Sequence, residues 1–258
     1  MVSFIKLKMR ETRQKSLFFI FGILGALVTV LISFVTFSTN ATYDVTSDYA
    51  QYGFQWTCLS LVAAVAAVSL SGNTVEKHEK GDFADLIQLH GLPKQKQYWG
   101  IVLANIGNSM TMAVVLLVGM IISLIIKRPD VAFHSTMLAF GNYLLAVGCI
   151  ALLISGLSFY LPGPACILLG MLLVVLGSVR GVLRLVIGNL GGVFAKVLNA
   201  CCQILPPLST FGQVSRDLFF GELHDWHGFF ACLFYCWVLL GLIGVAIWGK
   251  TKNDVGKN

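Results

Sequence analysis

Charge is scarce in this sequence. Only 12% of its residues are Asp, Glu, Lys or Arg, about half the share expected of a soluble globular domain. Apolar residues reach 57%, too many to be hidden in a core alone, so an ordinary soluble domain is excluded. The charges are also segregated. Uncharged runs extend from Ser16 to Tyr43, Tyr49 to Val75, Gln97 to Ile126, Val131 to Val179, and Trp226 to Gly249. A bilayer core of roughly 30 Å takes about 20 helical residues, so each run is long enough to span. None of these runs holds an Asp or Glu, which speaks against an ion-coupled carrier built around a mid-membrane carboxylate.

Proline is scarce too, and the few present act as punctuation. "LPGP" (Leu161 to Pro164) interrupts the fourth run and divides it into two spans, because proline breaks helix geometry. Six spans result. The seven cysteines show no metal-ligand spacing, and most lie in apolar runs where a cysteine acts as a small hydrophobe. The adjacent pair Cys201 and Cys202 is open to packing or to a bridge with another chain. His224 and His227 flank Asp225 and Trp226 without further ligands, so they read as interface residues rather than an intramembrane metal site.

The basic residues set an expected orientation. Lys6, Lys8, Arg10, Arg13 and Lys15 precede the first run. That run is too long for a signal-peptide h-region and reads as a retained span. With both termini inside, inner segments carry twelve Lys and Arg against six outside, as the positive-inside rule requires. The net charge of +6 then reflects topology and contact with anionic lipid, not nucleic-acid binding. "NAT" (Asn40 to Thr42) is a glycosylation sequon in the first outer loop, which also holds Asp44 and Asp48; the sequon matters only in a eukaryotic secretory pathway.

Residues Met1 to Lys15 can form an amphipathic helix, with Val2, Ile5 and Met9 on one stripe and Lys6, Arg10 and Arg13 on another. It either lies in the headgroup plane or simply flanks the first span. Between spans two and three, Asp82 to His90 reads as a short helix opened by Gly81 and stopped by Gly91 and Pro93. Phe83, Leu86, Ile87 and His90 fall at i, i+3, i+4 and i+7 and make one apolar face. About nine helical residues reach only ~13 Å. The helix therefore docks into a groove on another protein or lies on the membrane. Arg180 and Arg184, one turn apart in "SVRGVLRLVIGNLGG" (Ser178 to Gly192), either snorkel to an interface or face a substrate. "ILPPLSTFGQ" (Ile204 to Gln213) suggests short re-entrant or surface-lying helices around Pro206 and Pro207.

One motif points elsewhere. "GVAIWGKT" (Gly244 to Thr251) fits the G-x-x-x-x-G-K-[ST] phosphate loop, which needs a strand before it and a helix after it. Here the first glycine falls in the closing turns of the last span, and only seven residues follow Thr251. The match is chance. Lys250 reads as a basic anchor at the membrane edge.

The whole layout resembles the permease subunits of ABC exporters of the type-2 family. The most specific part is Glu79-Lys80-Gly81 followed by "DFADLIQLHGLP" and Lys94, similar to that family's coupling segment. Asp82 stands where the family often has threonine. "ILPPLSTFGQ" is similar to the segment before its last outer helix, and the "GKTKNDVGKN" end loosely resembles its basic tail. The resemblance implies an all-α integral membrane protein, a single transmembrane permease domain over residues 1–258. Its parts are an amphipathic helix at 1–15, spans at 17–37, 54–71, 98–126, 133–160, 165–187 and 229–248, and a coupling segment at 76–93. It implies that Phe83, Leu86, Ile87 and His90 are buried against a soluble ABC ATPase subunit, with Glu79 and Asp85 as rim contacts and Gly81, Gly91 and Pro93 bounding the helix. The N-terminal helix braces against the same partner, and Arg180 and Arg184 are candidates for the pathway. ATP and Mg²⁺ belong to the partner; this chain binds no cofactor and has no ATPase site. A second permease completes a homodimer or heterodimer in a bacterial inner membrane, exporting a peptide, lipid or amphipathic drug. Two alternatives remain: a permease giving immunity to a lantibiotic or other antimicrobial peptide, and a non-transport assembly or regulatory protein of the membrane.

Overall fold

A computed structural model of the chain describes residues 1–14, 16–33, 44–81, 83–127, 131–189, 192–221 and 226–255. Among the described residues there are helices and no strands: α1 (Val2–Arg13), α2 (Ser16–Ser33), α3 (Asp44–Ser71), α4 (Thr74–Glu79), α5 (Phe83–Leu89), α6 (Lys94–Lys127), α7 (Phe133–Leu157), α8 (Gly163–Ser178), α9 (Arg180–Gly188), α10 (Gly192–Ile204), α11 (Leu208–Phe220) and α12 (His227–Val255). Among the described residues four stretches are long and apolar enough to cross a membrane: Tyr52–Glu79, Lys94–Ile126, Phe133–Leu157 and His227–Lys252. Two bent pairs, α1 with α2 at 65° and α8 with α9 at 61°, bring the number to six if each is one span. The architecture is that of an all-α membrane protein.

The elements depart from the expected spans in places with physical causes. The fifth span, expected unbroken over 165–187, bends at Val179, which leaves α8 with 16 residues. That is about 24 Å of helix, short of a bilayer core. The bend keeps Arg180 and Arg184 off the axis of the apolar segment, where a charge is costly. The expected loop around Asp44 and Asp48 is instead the beginning of α3. Asn40 to Thr42, Asp82, Arg128 to Asp130, and His224 with Asp225 lie outside the described residues.

The main core sits where α3, α6, α7 and α11 meet. Trp56 and Tyr52 of α3, Tyr143 and Phe140 of α7 and Phe219 of α11 form its aromatic centre. The Trp56 ring lies 5.7 Å from Phe140 and 6.0 Å from Phe219, centroid to centroid, in the tilted and edge-on range that aromatic pairs favour. Asn142 fixes α11 between its neighbours, donating to Phe211 O at 2.9 Å and Ser215 Oγ at 2.8 Å. The segment after Pro206 and Pro207 is thus built into the bundle, with Leu208, Phe211, Val214, Leu218 and Phe219 buried.

A second cluster closes the end that carries α4 and α5. It joins Phe4, Val75, Tyr98, Ile101, Val102, Leu152, Ile243 and Ile247 from five helices with Phe159 from the turn after α7. Here α1 lies on α6. The buried positions of α1 are Phe4 and Thr12; of the Val2, Ile5 and Met9 stripe, Ile5 and Met9 are half-buried beside α6 and Val2 is exposed. The reason is close approach: a Cβ at Gly100 would sit 2.6 Å from the Phe4 ring, and one at Gly107 would sit 2.8 Å from Met9 Cε. Two glycines seven residues apart on α6 open the trough in which α1 rests.

Candidate functional site

The α4–α5 segment is held by buried polar contacts. Gln97, in the first turn of α6, is 1% exposed. Its Nε2 donates to Ala84 O at 3.2 Å and to Leu92 O at 2.8 Å, and its Oε1 lies 2.8 Å from His78 Nε2. One side chain therefore links α4, α5 and the turn before α6. His78 is itself buried, with the Phe4 ring 5.7 Å away at an edge-on angle. Through Phe4, α1 braces the same point.

Two chain reversals shape the segment. At its C-terminal end Gly91 takes φ +88°, a left-handed conformation that costs other L-residues roughly 1 kcal/mol. Leu92 N–H donates to Ile87 O at 3.3 Å and Gly91 N–H to Gln88 O at 3.0 Å, a Schellman closure of α5. Pro93 then accepts from the N–H groups of Lys96 and Gln97 at 2.9 and 3.1 Å and so starts α6. Before α5, the Glu76 carboxylate accepts from Lys80 Nζ at 2.5 Å and from Gly163 N–H at the start of α8.

Glu79 is the pivot of the base. Its Oε1 lies 2.5 Å from Lys250 Nζ and accepts from the Tyr98 hydroxyl at 2.9 Å. Lys250 also donates to Phe159 O at 2.8 Å and stands 5.8 Å from the Tyr98 ring centroid. These contacts join α4, α6, α12 and the turn after α7. Glu79, expected at a rim, is thus engaged within the chain, while Asp85 stays outside with Lys94 3.8 Å away.

The predicted α5 face divides. Ile87 packs against the second core cluster. Leu86 is 48% exposed, and Leu89, which the i, i+3, i+4, i+7 reading passes over, is 83% exposed. His90 is exposed, with its Nδ1 2.8 Å from Leu86 O at the helix end. Phe83 opens α5 and Gly81 lies in the bend before it. Leu86, Ile87, His90 and Gly91 form one wall of a groove of about 530 Å³; Met1, Ser3 and Phe4 of the α1 end form the other. Such a groove between an apolar helix face and a second element suits a partner helix or loop.

Sequence reasoning missed Gln97, Tyr98 and the cross-chain role of Lys250. Gln97 and Tyr98 stand at the start of the third uncharged run, where they read as the edge of a span. An amphipathic pattern records which face is apolar, not which polar group will be buried.

Arg180 and Arg184 do not converge on a site. Arg180 is buried and donates from Nη1 to Leu205 O at 3.0 Å, tying α9 to the turn before α11, whereas Arg184 is exposed. Farther along α3, Thr57 and Ser60 face Ser209, Gln213 and Arg216 of α11 across a cleft of about 250 Å³. α12 continues as helix through Gly244 to Thr251, so the backbone N–H groups there stay inside the helix and form no phosphate loop. Cys201 is exposed and Cys202 buried, both as free thiols. Among the described residues no three His, Cys, Asp or Glu side chains come together as metal ligands. A scan against models of known protein families finds no match to this chain, and a search of curated proteins finds none either.

Proposed function

We propose that the chain is the membrane-spanning permease subunit of an ATP-driven exporter of the ABC type-2 family. A separate soluble ATPase subunit supplies ATP hydrolysis, and a second permease completes the pathway. The observation that carries the reading is the pairing of exposed Leu86 and Leu89 on α5 with a base locked by Gln97 and by Glu79 and Lys250. An exposed apolar ridge on a firmly held short helix suits transmission of a push better than loose membrane contact does.

In this reading α5 docks in a groove of the ATPase, with the α1 end beside it. Closure of two ATPase subunits on ATP moves α5. The ties from α4 to α6 and α12 pass the movement to long helices, which rotate to open the far side. Access changes only because ATP and cargo bind the two states with different affinity. The cargo is a peptide, lipid or amphipathic drug, and the hydroxyl-lined cleft between α3 and α11 is where its polar part would rest. The membrane is a bacterial inner membrane with both termini in the cytoplasm.

The test is purification of the chain from its native membrane, mass spectrometry of co-purifying proteins and an ATPase assay, with Leu86→Asp alongside. Co-purification of a soluble ATPase that Leu86→Asp releases supports the reading. Absence of any ATPase, with the protein intact, overturns it.

A further inference from the structure

The charges of α1 fall on two sides. Lys8 and Glu11 pair at 3.0 Å and, with Thr12, line a crevice against α4 and α6. Lys6, Arg10 and Arg13 recur at i, i+4 and i+7 on another side. Together with Met9, Gln14 and Phe19 they line a groove of about 600 Å³ in the 65° elbow between α1 and α2. Among the described residues no acidic side chain lines this groove. The Lys6 and Arg10 side chains have no hydrogen-bond or ion-pair partner among the described residues. Arg13 is held in place by α6: its Nε donates to Asn108 Oδ1 at 3.3 Å and its Nη2 to Thr111 Oγ1 at 2.8 Å.

The groove does not end in water-facing polar surface. Phe19, 60% exposed, forms its apolar edge, and Ile23 and Leu27 continue that exposed ridge along α2 at four-residue intervals. A complementary ligand has an anionic head for three cations and an apolar tail for the ridge. A small soluble anion would match the cations but leave Phe19 uncovered, and a nucleic acid would offer nothing to Ile23 and Leu27.

We infer that the α1–α2 elbow is a binding site for an anionic phospholipid. Its phosphate sits among Lys6, Arg10 and Arg13, and an acyl chain lies along Phe19, Ile23 and Leu27. A guanidinium or ammonium recognises the phosphate by charge and hydrogen bonds, and the fixed Arg13 gives the site a rigid member before lipid arrives. The site requires only that α2 lie in a bilayer and stands apart from the transport reading.

The test is native mass spectrometry of the full chain, delipidated in a neutral detergent and titrated with phosphatidylglycerol or phosphatidylcholine of the same acyl chains. Wild type is expected to bind phosphatidylglycerol at least tenfold more tightly. Lys6→Gln with Arg10→Gln should weaken it by roughly fivefold per charge removed, taking about 1 kcal/mol for each cation near an anionic headgroup. Lys77→Gln with Lys96→Gln removes the same charge from exposed positions elsewhere and should leave the affinity unchanged. Phe19→Gln keeps all three cations and should still weaken binding, by roughly threefold. Equal binding of the two lipids by wild type overturns the inference, as does equal weakening by the two charge-removal pairs. Displacement of the lipid by millimolar inorganic phosphate, beyond what chloride achieves at the same ionic strength, would mark a plain anion site and also overturn it. If the Lys6 and Arg10 variant fails to fold, the wild-type lipid comparison and Phe19→Gln still decide.

Discussion

The Lys250 ammonium lies 2.5 Å from Glu79 Oε1, joining residues 171 positions apart at the junction of α4 and α12. The pair is partly sheltered, and each member has a second partner: the Tyr98 hydroxyl for Glu79 and Phe159 O for Lys250. A lysine in the last turns of an apolar helix thereby holds the base of the α4–α5 segment.

Lys250→Met and Glu79→Gln should each destabilise the protein by about 1–2 kcal/mol, above the range of exposed ion pairs because the first also loses the bond to Phe159 O and the second weakens the charge-assisted bond from Tyr98. The double variant should cost less than the sum of the two. Thermal melts of the four proteins in one detergent form the cycle. Additive losses would show that the pair is not coupled.

Gln97→Leu keeps similar volume but orphans Ala84 O, Leu92 O and the His78 ring. A loss of roughly 2–4 kcal/mol is expected, given about 1–3 kcal/mol for each buried group left unpaired and some recovery through water. Hydrogen exchange should quicken in α5 and the Gly91 turn before it changes in α7. Uniform quickening would place the role of Gln97 in global stability instead.

Gly100→Ala drives a Cβ against the Phe4 ring, a stiff neighbour, whereas Gly107→Ala meets the flexible end of Met9. The first should cost about 1–3 kcal/mol as overpacking and expose α1 to limited proteolysis. The second should be milder. The reverse order would place the α1 seat elsewhere.

Leu86→Asp and Leu89→Asp change exposed positions and should alter stability by only about 0.5 kcal/mol. Under the proposed function they abolish ATPase recruitment. Loss of recruitment with an unchanged melting temperature separates docking from folding; a large drop in melting temperature would count against a free α5 ridge.

Gly249→Ala tests the helical state of Gly244 to Thr251. Nothing lies within 4 Å of a Cβ at Gly249, so alanine should stabilise α12 by up to about 1 kcal/mol. A glycine loop wrapped on a phosphate would instead be damaged by the added methyl. A drop in melting temperature would reopen the loop reading.

What the sequence determined by itself is the membrane class, the presence of long apolar helices and the short helix between Gly81 and Pro93. These depend on composition and on periodic patterns along the chain, which a helix expresses locally: apolar runs, glycine and proline stops, and segregated basic residues. Five uncharged runs were legible because an apolar segment of that length has few other stable environments.

Tertiary structure alone decided which polar groups matter. Gln97, Tyr98 and Lys250 acquire their roles from residues brought together across the bundle, at separations that periodicity cannot register. It also set the buried side of α1, because the glycine trough on α6 takes Phe4 and Met9 and leaves Val2 exposed. The bend at Val179 and the burial of α11 likewise follow from competition between helices for the same space. A local pattern states what a segment can do; packing energy, summed over neighbours distant in sequence, determines which option is taken.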